Sequence, residues 1–318
     1  MGAWAQLRDG FMLPLRIARM LLENRSERRA FLVQASLRIL VTFGLTLILG
    51  WAQAQIITAV LKKYNSLSLE GLEGIGPALA SLYGTLCIVE WCIIALTRDY
   101  DDQISRRASL VMGLNPEDPE ARPRIRLDIK WLKKKVQRRI RGYRVYLIAL
   151  PAAAPLLLIP LVGNGLYSTL VTLWTLYWSV VFTAAKSGAA WKDEENAPDP
   201  WFIAGFHKLT DKAGGFGIMR AYGRWWKKHS HDMFAPCRSV ADHPTAMTGL
   251  AIFRAFCDLP GLYFLARPFL PVAAAHILQK AAEPEMAVLK PSPAPEILVP
   301  QEPAIPLETE NEIKDKAP

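Results

Sequence analysis

Long apolar runs separated by charged segments set the pattern of this sequence. Four of them cover residues 39–61, 75–96, 145–162 and 166–185. The first has 23 residues and no charge, so as an α-helix it is about 34 Å long and exceeds a hydrocarbon core of about 30 Å. The second and fourth runs are also long enough to cross, although Glu90 lies within the second. The pattern predicts a helical membrane protein.

Two further apolar regions are interrupted by proline. The run 145–162 has 18 residues and contains Pro151, Pro155 and Pro160, so we expect it to cross obliquely or to borrow length from the residues before it. The block 248–278 is cut by Pro260 and neighbouring breakers. Backbone groups freed at such breaks need partners in the protein or in a wet cavity. A re-entrant hairpin and a single kinked span both remain open for this block.

The predicted fold class is an all-α integral membrane protein. We expect about four transmembrane helices and a Pro-broken helical hairpin, re-entrant or spanning, with helical cytoplasmic extensions. A basic amphipathic segment, residues 1–38, precedes the helical membrane domain 39–280, whose cytoplasmic loops cover 97–144 and 186–247. The tail 281–318 has eight carboxylates against three lysines and is rich in proline, which predicts disorder.

The distribution of positive charge orients the chain. Seven arginines against three carboxylates precede the first apolar run, which predicts a cytoplasmic N-terminus. Residues 62–74 are balanced and suit the outside, whereas the segments 98–144 and 186–247 return to the inside. Only Gly163, Asn164 and Gly165 separate the third and fourth runs, which indicates a tight outer turn.

The most basic stretch, residues 130–144, raises a choice between nucleic acid and membrane as its partner. Eight of its fifteen residues are Lys or Arg, which alone would suit a phosphate backbone. An uncharged apolar run begins at Val145, directly after it. This adjacency favours a cytoplasmic anchor facing water or anionic lipid headgroups, and no nucleic-acid partner is expected.

Charged residues inside apolar segments are candidates for function, because burying a charge in a membrane is costly. Arg254 and Asp258 are four residues apart in the block 248–278 and lie on one helical face, and Arg267 follows. They and Glu90 are the intramembrane charged candidates. A plain alternative for Arg254 and Asp258 is mutual neutralisation near the membrane surface.

No enzyme, cofactor or metal site is predicted. The stretch HSHDMFAPC at residues 229–237 holds residue types that zinc prefers, but its spacing matches no common ligand template. The glycine-rich KAGGFG at 212–217 lacks the registers of phosphate-binding loops. No catalytic set of Ser, His and Asp can be located in the sequence.

Several segments, taken in order, resemble the family of the bacterial sulfate permease CysZ and its eukaryotic relatives, the etoposide-induced endoplasmic reticulum membrane proteins. LPLRIARMLLENRSERRAFL at 13–32 is similar to the family's Gly-Leu-Arg element and the basic stretch after it. LLIPLVGNG at 157–165 is similar to its Ile-Pro-x-x-Gly turn, and LPGLYFLARPFLPVAAAHIL at 259–278 to its C-terminal segment. The resemblance covers residues 13–278.

The resemblance implies a multi-pass protein of the bacterial inner membrane, or alternatively of the endoplasmic reticulum, with half-inserted helices and a capacity to form homo-oligomers. It implies transport of an inorganic anion such as sulfate, with Arg16 as an anion ligand. Arg254 and Arg267 are further anion-binding candidates, because guanidinium donors suit an oxyanion. The alternative function is a membrane scaffold or a lipid- or partner-interaction protein without transport activity.

Overall fold

The computed structural model describes residues 2–63, 75–117, 123–127, 129–192, 197–212, 217–259 and 261–282. The secondary structure of these residues is entirely helical, which confirms the predicted all-α class. Of the predicted tail 281–318, the first two residues form the end of α12 and residues 283–318 lie outside the described residues. The α-helices are α1 Ala3–Leu22, α2 Arg25–Lys63, α3 Ile75–Leu96, α4 Arg98–Val111, α5 Ile129–Ala153, α6 Gly163–Ala184, α7 Trp201–Lys212, α8 Gly217–Ser230, α9 Phe234–Asp242, α10 Pro244–Cys257, α11 Leu262–Ala266 and α12 Phe269–Ala282.

Three of the described helices have the length and apolar composition to cross a membrane. They are Arg25–Ile56 within α2, Leu79–Leu96 within α3, and α6. The first, second and fourth predicted runs therefore correspond to candidate spans. The predicted boundary at residue 38 falls inside α2, because this helix begins at Arg25 and continues into the apolar run without interruption.

The surface of α2 has the inverse polarity of a water-soluble helix. Leu40 and Trp51 are 71% and 67% exposed, whereas Thr42 and Thr46 are buried. Facing α3, the Gln53 side chain accepts a hydrogen bond from the Thr85 hydroxyl at 2.9 Å. Apolar side chains outside and polar side chains inside suit a hydrocarbon solvent, in which polar groups must find partners within the protein.

The third predicted run does not form one continuous helix. Helix α5 ends at Ala153 and a 3₁₀ helix, Ala154–Leu158, follows it. Leu161 then adopts a positive φ of 69° before α6 begins. Proline lacks the backbone N–H that a helix interior needs, so the prolines of this run explain why α5 ends before the run does.

The core forms where α1 crosses α10. A Cβ added at Gly10 would lie 2.1 Å from the carbonyl oxygen of Ala246, and one at Gly249 would lie 2.0 Å from that of Leu7. Two glycines therefore let the two backbones touch. The basic segment predicted at residues 1–38 therefore places one face of α1 in the protein core, where Leu13, Ile17 and Leu21 are buried.

The predicted block 248–278 folds into α10, α11 and α12. Helices α10 and α12 have 14 residues each, about 21 Å, so neither alone crosses a hydrocarbon core of about 30 Å. They contact each other, and α1 contacts both. Leu270 and Ala274 of α12 are fully buried, so the proline-broken block contributes to the protein core.

The described part of the long loop 186–247 contains the α-helices α7, α8 and α9, and α10 begins within it at Pro244. Helices α7 and α8 pack against each other, and their rings reach α6: the centroid of Phe202 lies 5.1 Å from that of Trp174 and 5.6 Å from that of Trp226. Trp174 is ten residues before the end of α6, about 15 Å along the helix axis. This pair of helices therefore packs beside the middle of a candidate span.

Candidate functional site

The connection between α10 and α12 brings its own charged residues together with charged residues of α2, α3, α4 and α10 and with one that follows α6. We call residues 258–268 the break. Gly261 there has a φ of +88°, in the left-handed region that favours glycine. Its N–H donates to the Glu90 carboxylate at 3.2 Å, and this side chain is buried on α3. A carboxylate from a candidate span thus satisfies a backbone donor that the turn would otherwise leave open.

Asp101 of α4 joins two buried arginines. One of its oxygens accepts from Arg38 of α2, and the other accepts from Arg267 of the break at 2.5 Å. The same arginines reach the C-terminal end of α3, where Arg38 donates to the carbonyl of Thr97 at 3.3 Å and Arg267 to that of Ile94 at 3.4 Å. Cations are favourable at a helix C-terminus, so these contacts stabilise the junction of α2, α3, α4 and the break.

A second group lies at the end of α6. Lys186 donates to the Tyr263 hydroxyl at 3.1 Å and lies 4.9 Å above the centre of its ring. Arg254 donates through Nη1 to the Thr183 hydroxyl at 3.1 Å. Its Nε is buried, has no hydrogen-bond acceptor in the described part of the chain, and lies 3.7 Å from the Asp258 carboxylate. We call Lys186 and Arg254 the cationic pair.

Positive charge exceeds negative charge in this polar cluster. Its cations are Arg38, Lys186, Arg254 and Arg267, and its carboxylates are Glu90, Asp101 and Asp258. Burial lowers the pKa of Lys186 well below its usual range, and nearby Arg254 lowers it further. Asp258 opposes this shift, whereas the more distant Arg267 and Arg139 add to it. Lys186 is therefore the group whose charge responds most readily to a new anion.

The structure brings together four of the five charged residues that were singled out in the sequence. Glu90, Arg254, Asp258 and Arg267 all belong to the polar cluster. Arg16 does not, because it lies on α1 with its side chain 53% exposed and pairs with Asp9 at 2.9 Å. The suggested neutralisation of Arg254 by Asp258 is a long contact, and the Asp258 side chain is half exposed.

Sequence reasoning missed five members of the cluster. They are Arg38, Asp101, Thr183, Lys186 and Tyr263. Arg38 and Lys186 each flank an apolar run, where a cation is also expected merely as a membrane-surface anchor. Asp101 directly precedes another acidic residue, Asp102, in a charged segment, and nothing in its local sequence distinguishes it.

The described residues of the loop motifs that were considered for metal or phosphate binding contribute no side chain to the cluster. His229 of α8 contacts the carbonyl of Trp225 at 2.8 Å, whereas Cys237 is buried on α9. Residues 213–216 of the glycine-rich stretch lie outside the described residues.

The fold and the cluster together define a class: an α-helical protein compatible with a membrane, with three candidate spans and a buried charged junction. Comparison of the chain with protein-family models, curated proteins and solved structures found no match. Function must therefore be argued from the cluster itself.

Proposed function

We propose that the protein is a multi-pass membrane protein that binds an inorganic oxyanion of the sulfate type at the cationic pair and passes it across the membrane. The observation that carries this proposal is the buried Nε of Arg254, which has no hydrogen-bond acceptor among the described residues, on the same side chain whose Nη1 donates to Thr183. The resemblance to the CysZ-like permeases supports the same function.

The donors of this site suit a tetrahedral oxyanion. Guanidinium and ammonium groups form the strongest hydrogen bonds to oxyanions, because both electrostatics and donor geometry favour them. The Tyr263 oxygen accepts from Lys186, so its O–H is available to donate to an anion. Thr183 donates to the carbonyl of Ser179 at 2.7 Å and accepts from Arg254, so its role is to position the guanidinium.

Replacing Arg254 with methionine is expected to weaken sulfate binding by tenfold or more, because a hydrogen bond to a charged group contributes about 1.5–3 kcal/mol. Binding is measured as the sulfate-dependent rise in the unfolding temperature of the purified protein. Arg238→Gln is the matched control. Arg238 lies outside the cluster, and its Nε forms an exposed ion pair with the Asp242 carboxylate at 3.8 Å. Equal sulfate affinity in wild type and Arg254→Met would reject the proposed site.

Sulfate binding is also expected to strengthen as the pH falls. The pKa of Lys186 is lowered in the free protein, and a bound anion favours its protonated form and raises that pKa. At a pH between the pKa of Lys186 in the free protein and its pKa in the anion-bound protein, binding of one anion is accompanied by the uptake of about one proton. The sulfate affinity therefore falls by up to about tenfold for each pH unit as the pH rises. Lys186→Met is expected to remove this dependence. A pH profile that stays the same in Lys186→Met would contradict the assignment of the proton to Lys186.

A further inference from the structure

A separate apolar cavity lies between α5, α6, α7 and α8. It encloses about 350 Å³, within the range of small-molecule sites. Gly205 of α7 lines it, and every other lining residue is Ala, Leu, Val, Phe or Trp. Leu170 and Trp174 form its wall on α6, so the cavity opens beside a candidate span. Nothing in the anion proposal uses this cavity.

Cations lie along α5 on one side of this cavity. Ala149 lines it, and Arg144 and Arg141 precede Ala149 by five and eight residues, about 8 and 12 Å along the helix axis. Both arginines are exposed and reach the end of α8, where Arg141 pairs with Asp232 and Arg144 donates to the carbonyl of His229. A lipid whose acyl chain occupies the cavity would thus have cationic side chains within reach of its phosphate group.

We propose that the cavity holds one acyl chain of an anionic membrane phospholipid, with the phosphate of the lipid near Arg141 and Arg144. The occupant is a lipid because the lining is apolar and the cavity adjoins a candidate span. An anionic headgroup is assigned because the side chains one and two turns along α5 are cationic.

Gly205 provides a variant that fills the cavity. A Cβ added at Gly205 meets no atom within 4 Å, so Gly205→Leu places its side chain in open space at the cavity wall. Leucine also favours a helix more than glycine does, so this substitution does not weaken α7. Gly44→Leu is the matched control, because Gly44 is equally open and lies on α2, outside the cavity.

The test uses the full chain in nanodiscs that contain phosphatidylglycerol with a diazirine in the middle of one acyl chain. After illumination, labelled peptides are mapped by mass spectrometry. We expect labelling of the α7 and α8 peptides, a loss of about tenfold or more in Gly205→Leu because its side chain displaces chain methylenes, and no loss in Gly44→Leu.

Labelling of α2 is the internal standard, since its exposed apolar face contacts bulk lipid in every variant. Unchanged α7 and α8 labelling in Gly205→Leu would overturn the proposal and assign the signal to bulk lipid. Absence of labelling on these helices in wild type would also overturn it, and a dimer in the same nanodiscs would then assign the surface to a second copy of the chain.

Discussion

Replacing Asp101 with asparagine is expected to destabilise the protein by about 3–5 kcal/mol, the largest loss of any single polar substitution in the cluster. Asp101 is 4% exposed and is the shared partner of Arg38 and Arg267. Asparagine keeps the shape but removes the negative charge, so the buried Arg38 and the part-buried Arg267 both lose the carboxylate that they share. The measurement is thermal or denaturant unfolding of the purified protein in detergent.

Asp9→Asn is the matched control for this experiment. Asp9 also pairs with an arginine, but the Arg16 side chain is 53% exposed and that of Asp9 34%. Exposed pairs contribute at most about 1 kcal/mol, so the control is expected to change stability little. Similar losses in both variants would show that Asp101 does not hold the junction of α2, α4 and the break.

Replacing Gly249 with alanine is expected to destabilise the protein by about 3 kcal/mol or more, because the added methyl group meets backbone and not a movable side chain. The new Cβ would lie 2.0 Å from the Leu7 carbonyl oxygen and 2.9 Å from the Phe11 nitrogen. Helices α1 and α10 must then separate, which opens the core around Ile17 and Leu250. Unfolding in detergent and resistance to proteolysis measure the loss.

The same substitution at Gly44 is expected to have the opposite sign or no effect. A Cβ added at Gly44 meets nothing within 4 Å, and alanine in a helix is about 0.5–1 kcal/mol more favourable than glycine. A neutral Gly249→Ala would contradict the close crossing of α1 and α10.

The candidate spans could be predicted from the sequence because uninterrupted apolar length is a local property. The run 39–61 and the helix Ile75–Leu96 contain no internal break strong enough to end a helix. The run 145–162 was harder, since its composition suits a span while Pro155 and Pro160 stop the helix. The apolar composition of this run predicts a span, but the missing N–H groups of its prolines determine where the helix ends.

The charged cluster was only half visible in the sequence, for a physical reason. Glu90 and Arg267 stood out because a charge within an apolar run needs a partner. Asp101 and Lys186 lie just outside such runs, where charges are ordinary and water is expected. Their burial depends on the way that α12 and the break fold back onto α4 and α6, and this long-range packing leaves no local pattern.

The crossing of α1 and α10 was invisible for the same reason. Gly10 and Gly249 are 239 residues apart, and neither glycine is unusual in its own segment. The amphipathic pattern of residues 1–38 predicts an apolar face, but an apolar face alone does not distinguish a protein core from a membrane surface.

Uptake of radiolabelled sulfate into proteoliposomes tests the central claim, that the cationic pair conducts an oxyanion across the membrane. The account predicts uptake above that of protein-free vesicles for wild type and for Arg238→Gln, and loss of uptake in Arg254→Met. Wild-type uptake equal to that of protein-free vesicles, for sulfate and for other inorganic oxyanions, would contradict it and favour the scaffold function.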